Sequence, residues 1–186
     1  MTTISDDLAA AVRLARTAVS RDRKHAAALR CVLVERAGDV VRAVATDKHR
    51  LVVCERPAGP TDPARVLLDP DTLEPAGDVE DDFPDYERFL PADPAAVATT
   101  AHGPSVLRAL EEAADDGPVS VHVGTDGVRF GGDDELHVDP DLLHDALELA
   151  GDGQVIIEAA GPFAPLAVRA PGLLTLVMPV RVAPAR

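Results

Sequence analysis

The chain has 186 residues, 46% of them apolar and 27% charged, with a net charge of −14. That is room for one ordinary domain or two small ones, and the chain is too apolar to be disordered. No long charge-free run offers a membrane-spanning helix, and MTTISDDLAA lacks the basic-then-apolar order of an export signal, so a cytoplasmic protein with reduced thiols at Cys31 and Cys54 is expected.

The charge is unevenly spread. Residues 1–60 carry 11 basic and 7 acidic side chains, net +4, whereas residues 61–186 carry 7 and 25, net −18. An acidic two-thirds repels nucleic acid, so any DNA contact falls to the N-terminal third.

In chain order, Leu8, Val12, Ala15 and Val19 make one apolar stripe, predicting a helix over 6–19 capped by Ser5, with Asp6 and Asp7 at its positive end. Strands are expected at Cys31–Arg36, Val40–Thr46 and Arg50–Glu55, the first two joined across Ala37-Gly38-Asp39. Asp69-Pro70 reads as a helix start that Pro75 stops within a turn. The acidic, proline-punctuated stretch 76–91 reads as a linker or edge segment. A second helix is expected over Pro104–Ala114, followed by strands Val119–Val123 and Gly127–Gly131. A third opens on Asp139-Pro140-Asp141, turns Leu143, Ala146, Leu147 and Ala150 inward, and ends at Gly151. The last strands are Gln154–Glu158, Leu166–Arg169 and Leu173–Val182.

LLDPDTLEPAGDV (67–79) echoes HVDPDLLHDALELAGDGQV (137–155), an internal repeat. The reading is an α+β chain of repeated helix-plus-antiparallel-strand units in two domains, 1–91 and 92–186, with the second unit of the first domain cut to a stub. No phosphate loop, dinucleotide glycine pattern or nucleophile elbow occurs, and none of the four serines sits in a Gly-x-Ser-x-Gly setting. His137 and His144 lack metal-ligand spacing. A non-enzymatic protein without cofactor or metal is expected.

Four segments, in order, resemble bacterial sliding clamps, the DNA polymerase III beta subunits: RCVLVERAGDVVRAVATDKHRLVV (30–53), FPDYERFLP (83–91), HVDPDLLHDALELAGDGQVIIE (137–158) and LVMPVRV (176–182). They are similar to the clamp's middle-domain hairpin with its Ala-Thr-Asp-Gly-His-Arg-Leu signature, the link to the last domain, that domain's second helix, and the terminal Val-Met-Pro-Met-Arg-Leu. The resemblance implies a DNA-clamp-like fold matching the middle and last domains, with the first domain and half of the middle one lacking. A dimeric ring is then not expected, and self-association stays open.

The resemblance also implies an apolar interdomain groove for short linear peptides of replication and repair proteins. Its residues fall on Leu29, Thr46, His49, Arg50, Leu51, Pro91, Val97, Leu142, Phe163, Met178, Pro179, Val180 and Arg181. Lys48 stands where the family has glycine, and would narrow the groove or favour an acidic peptide; Val180 in place of methionine makes a shallower wall. Read from the residues alone, Leu29, Leu51, Met178 and Val180 equally suit strand core, and His49-Arg50 suits a turn that satisfies local carbonyls. Clamp helices present basic side chains to DNA. Here Arg13, Arg16, Arg21, Arg23 and Lys24 are the candidates, while the second and third helices are acidic, so DNA contact is expected to be weak or absent. Two alternatives remain: a true DNA-encircling clamp, and a sensory or regulatory domain like the clamp-like domains fused to MerR-type transcription regulators.

Overall fold

The computed structural model describes residues 5–77, 79, 82–91, 97–115, 117–132 and 135–182. It divides into two compact units, Met1–Tyr86 and Glu87–Arg186. The expected boundary between 91 and 92 adjoins residues 92–96, which lie outside the described residues.

In the first unit, α1 (Asp6–Ala15) is followed by single 3-10 turns at Arg16–Ala18 and Ala27–Arg30. Four strands follow: β1 (Val32–Ala37), β2 (Val40–Thr46), β3 (Arg50–Pro57) and β4 (Arg65–Leu68). They hydrogen-bond antiparallel in the order β4-β1-β2-β3. The Ser5 hydroxyl accepts the Leu8 N–H at 3.2 Å, the expected cap. The helix stops four residues earlier than predicted. The Thr17 hydroxyl donates to the Leu14 carbonyl at 2.9 Å, and the backbone tightens into a 3-10 turn. Leu8, Val12 and Ala15 are fully buried, and α1 packs on β2 and β3.

The expected helix start at Asp69-Pro70 is corrected by the structure. Arg65–Leu68 is a strand, with Leu68 opposite Val32. Asp69 Oδ1 accepts the N–H groups of Asp71 and Thr72, which is how a helix begins. The chain then folds back instead: Leu73 takes a left-handed φ of 59°, and Pro75 bridges Leu68. With proline three residues past Thr72, no second turn of helix can form.

Part of the stretch read as linker is anchored. Phe83 and Tyr86 are buried, edge-to-face with ring centroids 6.5 Å apart. The Tyr86 hydroxyl donates to Glu35 Oε1 at 2.5 Å and accepts from Arg42 at 3.5 Å.

The second unit runs from a 3-10 turn (Glu87–Phe89) through β5 (Val97–His102), α2 (Gly103–Ala113), β6 (Val119–Gly124), β7 (Gly127–Phe130) and β8 (His137–Val138). It continues through α3 (Pro140–Ala150), β9 (Gln154–Ala159), β10 (Leu166–Ala170) and β11 (Leu173–Val177). Its strands form a β11-β10-β9-β5 sheet and a β7-β6-β8 sheet. Leu110, Val121, Leu143, Leu147, Ile157 and Val168 anchor its core. The Asp139 carboxylate caps α3 by accepting from Asp141 and Leu142. Gly151, at φ 77°, ends the helix in a conformation that L side chains rarely adopt.

Three further expectations change. Val97, expected in the groove just past the linker, opens a strand because β9 offers it an unpaired edge. Leu29, weighed as strand core, lies in a 3-10 turn before the hairpin, and its carbonyl accepts the Ser20 N–H at 2.8 Å. The terminal strand stops at Val177, five residues short, because Pro179 has no N–H for the ladder.

Burial, and then the hydrogen bond to Glu35, push the Tyr86 phenol from its ordinary 10.0 up to about 12. The folded chain thus holds this proton after the unfolded chain has lost it. The contribution is complete below pH 10 and lost as pH rises through about 12. Urea unfolding should therefore show stability falling over that window, and Tyr86→Phe should flatten the fall while costing about 1 kcal/mol at neutral pH. Equal alkaline slopes in the two proteins would contradict this assignment.

Candidate peptide-binding site

The first unit presents one prominent polar turn, between β2 and β3. The Thr46 hydroxyl donates to the Arg50 carbonyl at 2.7 Å and accepts the Lys48 N–H at 3.1 Å. Asp47 Oδ1 accepts the N–H groups of His49 and Arg50, and Asp47 Oδ2 pairs with the Arg50 guanidinium at 3.2 Å. Arg50 also donates to the Thr17 carbonyl at 2.6 Å, tying the turn to the 3-10 turn that follows α1. The carbonyl satisfied within the turn is that of Arg50 itself, by Thr46, whereas the Arg50 side chain reaches a distant carbonyl rather than the local ones expected from the sequence. Lys48 and His49 are the exposed side chains of the turn, and Leu51 and Leu29 are buried.

In the second unit the chain leaves its sheet at Met178-Pro179. Pro179 bridges Val138, and the Val180 N–H donates to the His137 carbonyl at 2.8 Å. This stitches the terminal segment to the edge of the other sheet. Beside it lies a cavity of about 950 Å³. Met178, Pro179, Val180, Arg181 and Val182 form one wall. Pro162 and Phe163, from the β9–β10 loop, form another, and Glu135 and His137 complete it. Phe163 is 81% exposed, a large apolar ring held in water at the rim.

Of the residues expected in the groove, the cavity gathers Phe163, Met178, Pro179, Val180 and Arg181. Leu142 instead packs against the core of the unit. Val97 pairs with Ala159 in the sheet, and Pro91 is half-buried after the 3-10 turn. Sequence reasoning missed Glu135, Pro162 and Val182, and assigned no such role to His137. Their recruitment depends on the bridge between Val138 and Pro179, 41 positions apart, which has no local signature.

Arg13, Arg16, Arg21, Arg23 and Lys24 are all exposed, with Arg16 3.6 Å from Asp71. On α2, Arg108 faces Glu112 at 3.9 Å, and α3 carries no lysine or arginine. The sole cluster of metal-ligand spacing among the described residues is His144, Asp145 and Glu148, with ligand atoms within 4.8 Å. Glu111 lies 3.5 Å from the other ring nitrogen of His144. His144 and Asp145 are half-buried and Glu148 is exposed, and the cluster makes polar contacts between α2 and α3. Both cysteines are buried free thiols; burial pushes Cys54 up to about 11, away from reactivity. No helix among the described residues is long and apolar enough to cross a membrane.

No family model matches the chain, and no curated protein matches it in sequence. Solved structures do. Caulobacter crescentus polymerase III beta superposes with a TM-score of 0.76 at 21% identity, over 95% of this chain and 65% of that one. The chain has the sliding-clamp fold. The Bacillus subtilis sliding clamp agrees, with a TM-score of 0.73 at 18% identity over 96% of this chain and 63% of its own. So does a C. crescentus clamp holding polyethylene glycol at the region proposed to tether beta-motifs, with a TM-score of 0.75 at 22% identity over 95% and 64%. The chain therefore spans less than two thirds of the length of these clamps.

Lys48 is strained where it stands. At φ 79° it occupies the left-handed region, where a Cβ is penalised and glycine is not. Lys48→Gly is expected to stabilise the protein by about 0.5–1 kcal/mol, the relief of strain outweighing the extra freedom of the unfolded chain. A lower urea midpoint in the glycine variant would overturn that balance.

Proposed function

We propose that this clamp-fold protein is a non-catalytic binder of short linear peptides, of the kind carried by replication and repair proteins, and that it contacts DNA weakly or not at all. The observation that carries the reading is the cavity walled by Met178, Pro179, Val180 and Val182 with Phe163 exposed at its rim. Its volume, about 950 Å³, suits two or three apolar side chains. Burying a leucine or phenylalanine there contributes roughly 1.5–3 kcal/mol before the costs of association, so binding through this cavity is expected to be weak. Met178 is unbranched and adapts to variable guests. The polyethylene glycol held by the C. crescentus clamp is a precedent for an extended chain on this fold. The charge on the second unit supports the view of DNA, since α2 and α3 would meet phosphates with carboxylates.

The test is fluorescence polarisation with a labelled Gln-Leu-x-Leu-Phe peptide. Binding should weaken about five-fold or more in Met178→Ala and in Phe163→Ala. Phe163 is so exposed that its removal leaves folding intact, which keeps the test clean. Absence of binding at several hundred micromolar protein, or binding indifferent to both substitutions, would sink the proposal.

The exposed basic run from Arg13 to Lys24 favours a second reading, nucleic-acid contact through the first unit alone. It expects a mobility shift on duplex DNA that disappears when Arg21, Arg23 and Lys24 are changed to glutamine. An unchanged shift in that variant, or none in the parent protein, removes it.

A further inference from the structure

Among the described residues five large apolar side chains are exposed, and three of them, Phe163, Val180 and Val182, line the cavity of about 950 Å³. Phe163 is the most exposed of all, at 81%, and its display is built into the β9–β10 loop. The Ala164 N–H donates to the Gly161 carbonyl at 3.3 Å, closing a turn with Pro162 second and Phe163 third. Gly161 takes a φ of 126°, which suits glycine, and Pro162 and Pro165 stiffen the backbone on either side of the ring. A ring held on so stiff a turn loses little freedom when it is covered. The same cavity is lined by Glu135 and Arg181, both exposed, and among the described residues neither side chain has a hydrogen-bond or ion-pair partner. One face thus carries a projecting ring, a hole, one acid and one base.

We infer that this face pairs with the same face of a second copy of the chain across a two-fold axis. Phe163 of each copy enters the cavity of the other, against Met178 and Val180, and Glu135 of each copy faces Arg181 of the other. A two-fold contact requires a surface complementary to itself, and the face supplies both halves of each match. Charge complementarity argues for this occupant: a partner of one charge sign would set one of the two unpaired side chains against its like. The net charge of −14 repels the copies at long range, so the pair is weak, with a Kd on the order of 100 µM. The pairing does not depend on the peptide-binding reading. Where that reading holds, the second copy stands in the place of the peptide, and a guest must displace it.

The test is sedimentation velocity on the full chain from about 5 to about 500 µM. The mass should rise from one chain toward two. Phe163→Ala should weaken the pairing about ten-fold or more, because a two-fold contact loses the ring twice. Glu135→Arg and Arg181→Glu should each weaken it about three-fold or more, and the two together should restore it to within about two-fold of the parent. Circular dichroism verifies the folding of each variant. A monomer throughout the range overturns the inference, as does a dimer indifferent to Phe163→Ala or a double exchange no better than the single ones. Adding labelled Gln-Leu-Ser-Leu-Phe peptide separates the two readings. Displacement to a peptide-bound monomer supports both. A dimer that binds no peptide supports the pairing and removes the peptide reading. Peptide bound to the intact dimer, or to a protein that never pairs, overturns the pairing and leaves the peptide reading standing.

Discussion

Pro179 cannot donate to a neighbouring strand, and the carboxyl-terminal end of the second unit is arranged around that deficit. β11 ends at Val177, and the following residues bridge instead to β8 through Val138 and the His137 carbonyl. Had the strand continued, alternate side chains beyond Val177 would have been drawn into the sheet faces. Leaving the ladder turns Met178, Val180 and Val182 into the wall of a cavity. A small backbone change, one absent N–H, thus separates a core strand from a candidate binding surface.

Asp69 and Asp139 show how one local signal serves two outcomes. Each follows a strand, and each accepts the N–H groups two and three residues ahead. At Asp139 the following residues place Leu143, Ala146 and Leu147 on one buried face, and eleven residues become α3. At Asp69 the run meets Leu73 in a left-handed conformation and then Pro75, so the same cap closes a turn. Capping satisfies amides at a terminus; propagation needs an apolar face to bury and no proline in the way.

Electrostatics divides the chain in a comparable manner. The basic side chains of the first unit are partly committed to its own architecture: Arg50 holds the β2–β3 turn to the 3-10 turn that follows α1, and Arg42 bonds Glu55 and Tyr86. The acidic side chains of the second unit are mostly solvated, which favours solubility and repels phosphate. Lys48, strained at positive φ in the middle of the pinned turn, stands out as a residue that the backbone there does not favour.

Much of this was legible in the amino-acid sequence, because much of it is local. Ser5 and Asp139 announce helix starts, Gly38 permits a tight hairpin, and valine-rich runs in β1 to β3 mark strands. These depend on dihedral preferences and on periodicity within a few residues. The motifs at 30–53, 83–91, 137–158 and 176–182 carried the clamp likeness for the same reason: short segments keep their chemistry in order along the chain. The end of α1 at Ala15, the strand at 65–68 and the pairing of Val97 were decided only in three dimensions, where a neighbouring edge or a side-chain hydrogen bond outweighed local propensity. So was the cavity. Phe163, His137 and Val180 come from three separate stretches whose proximity is set by sheet pairing and one bridge, and no pattern within any one stretch encodes how far it will lie from the others.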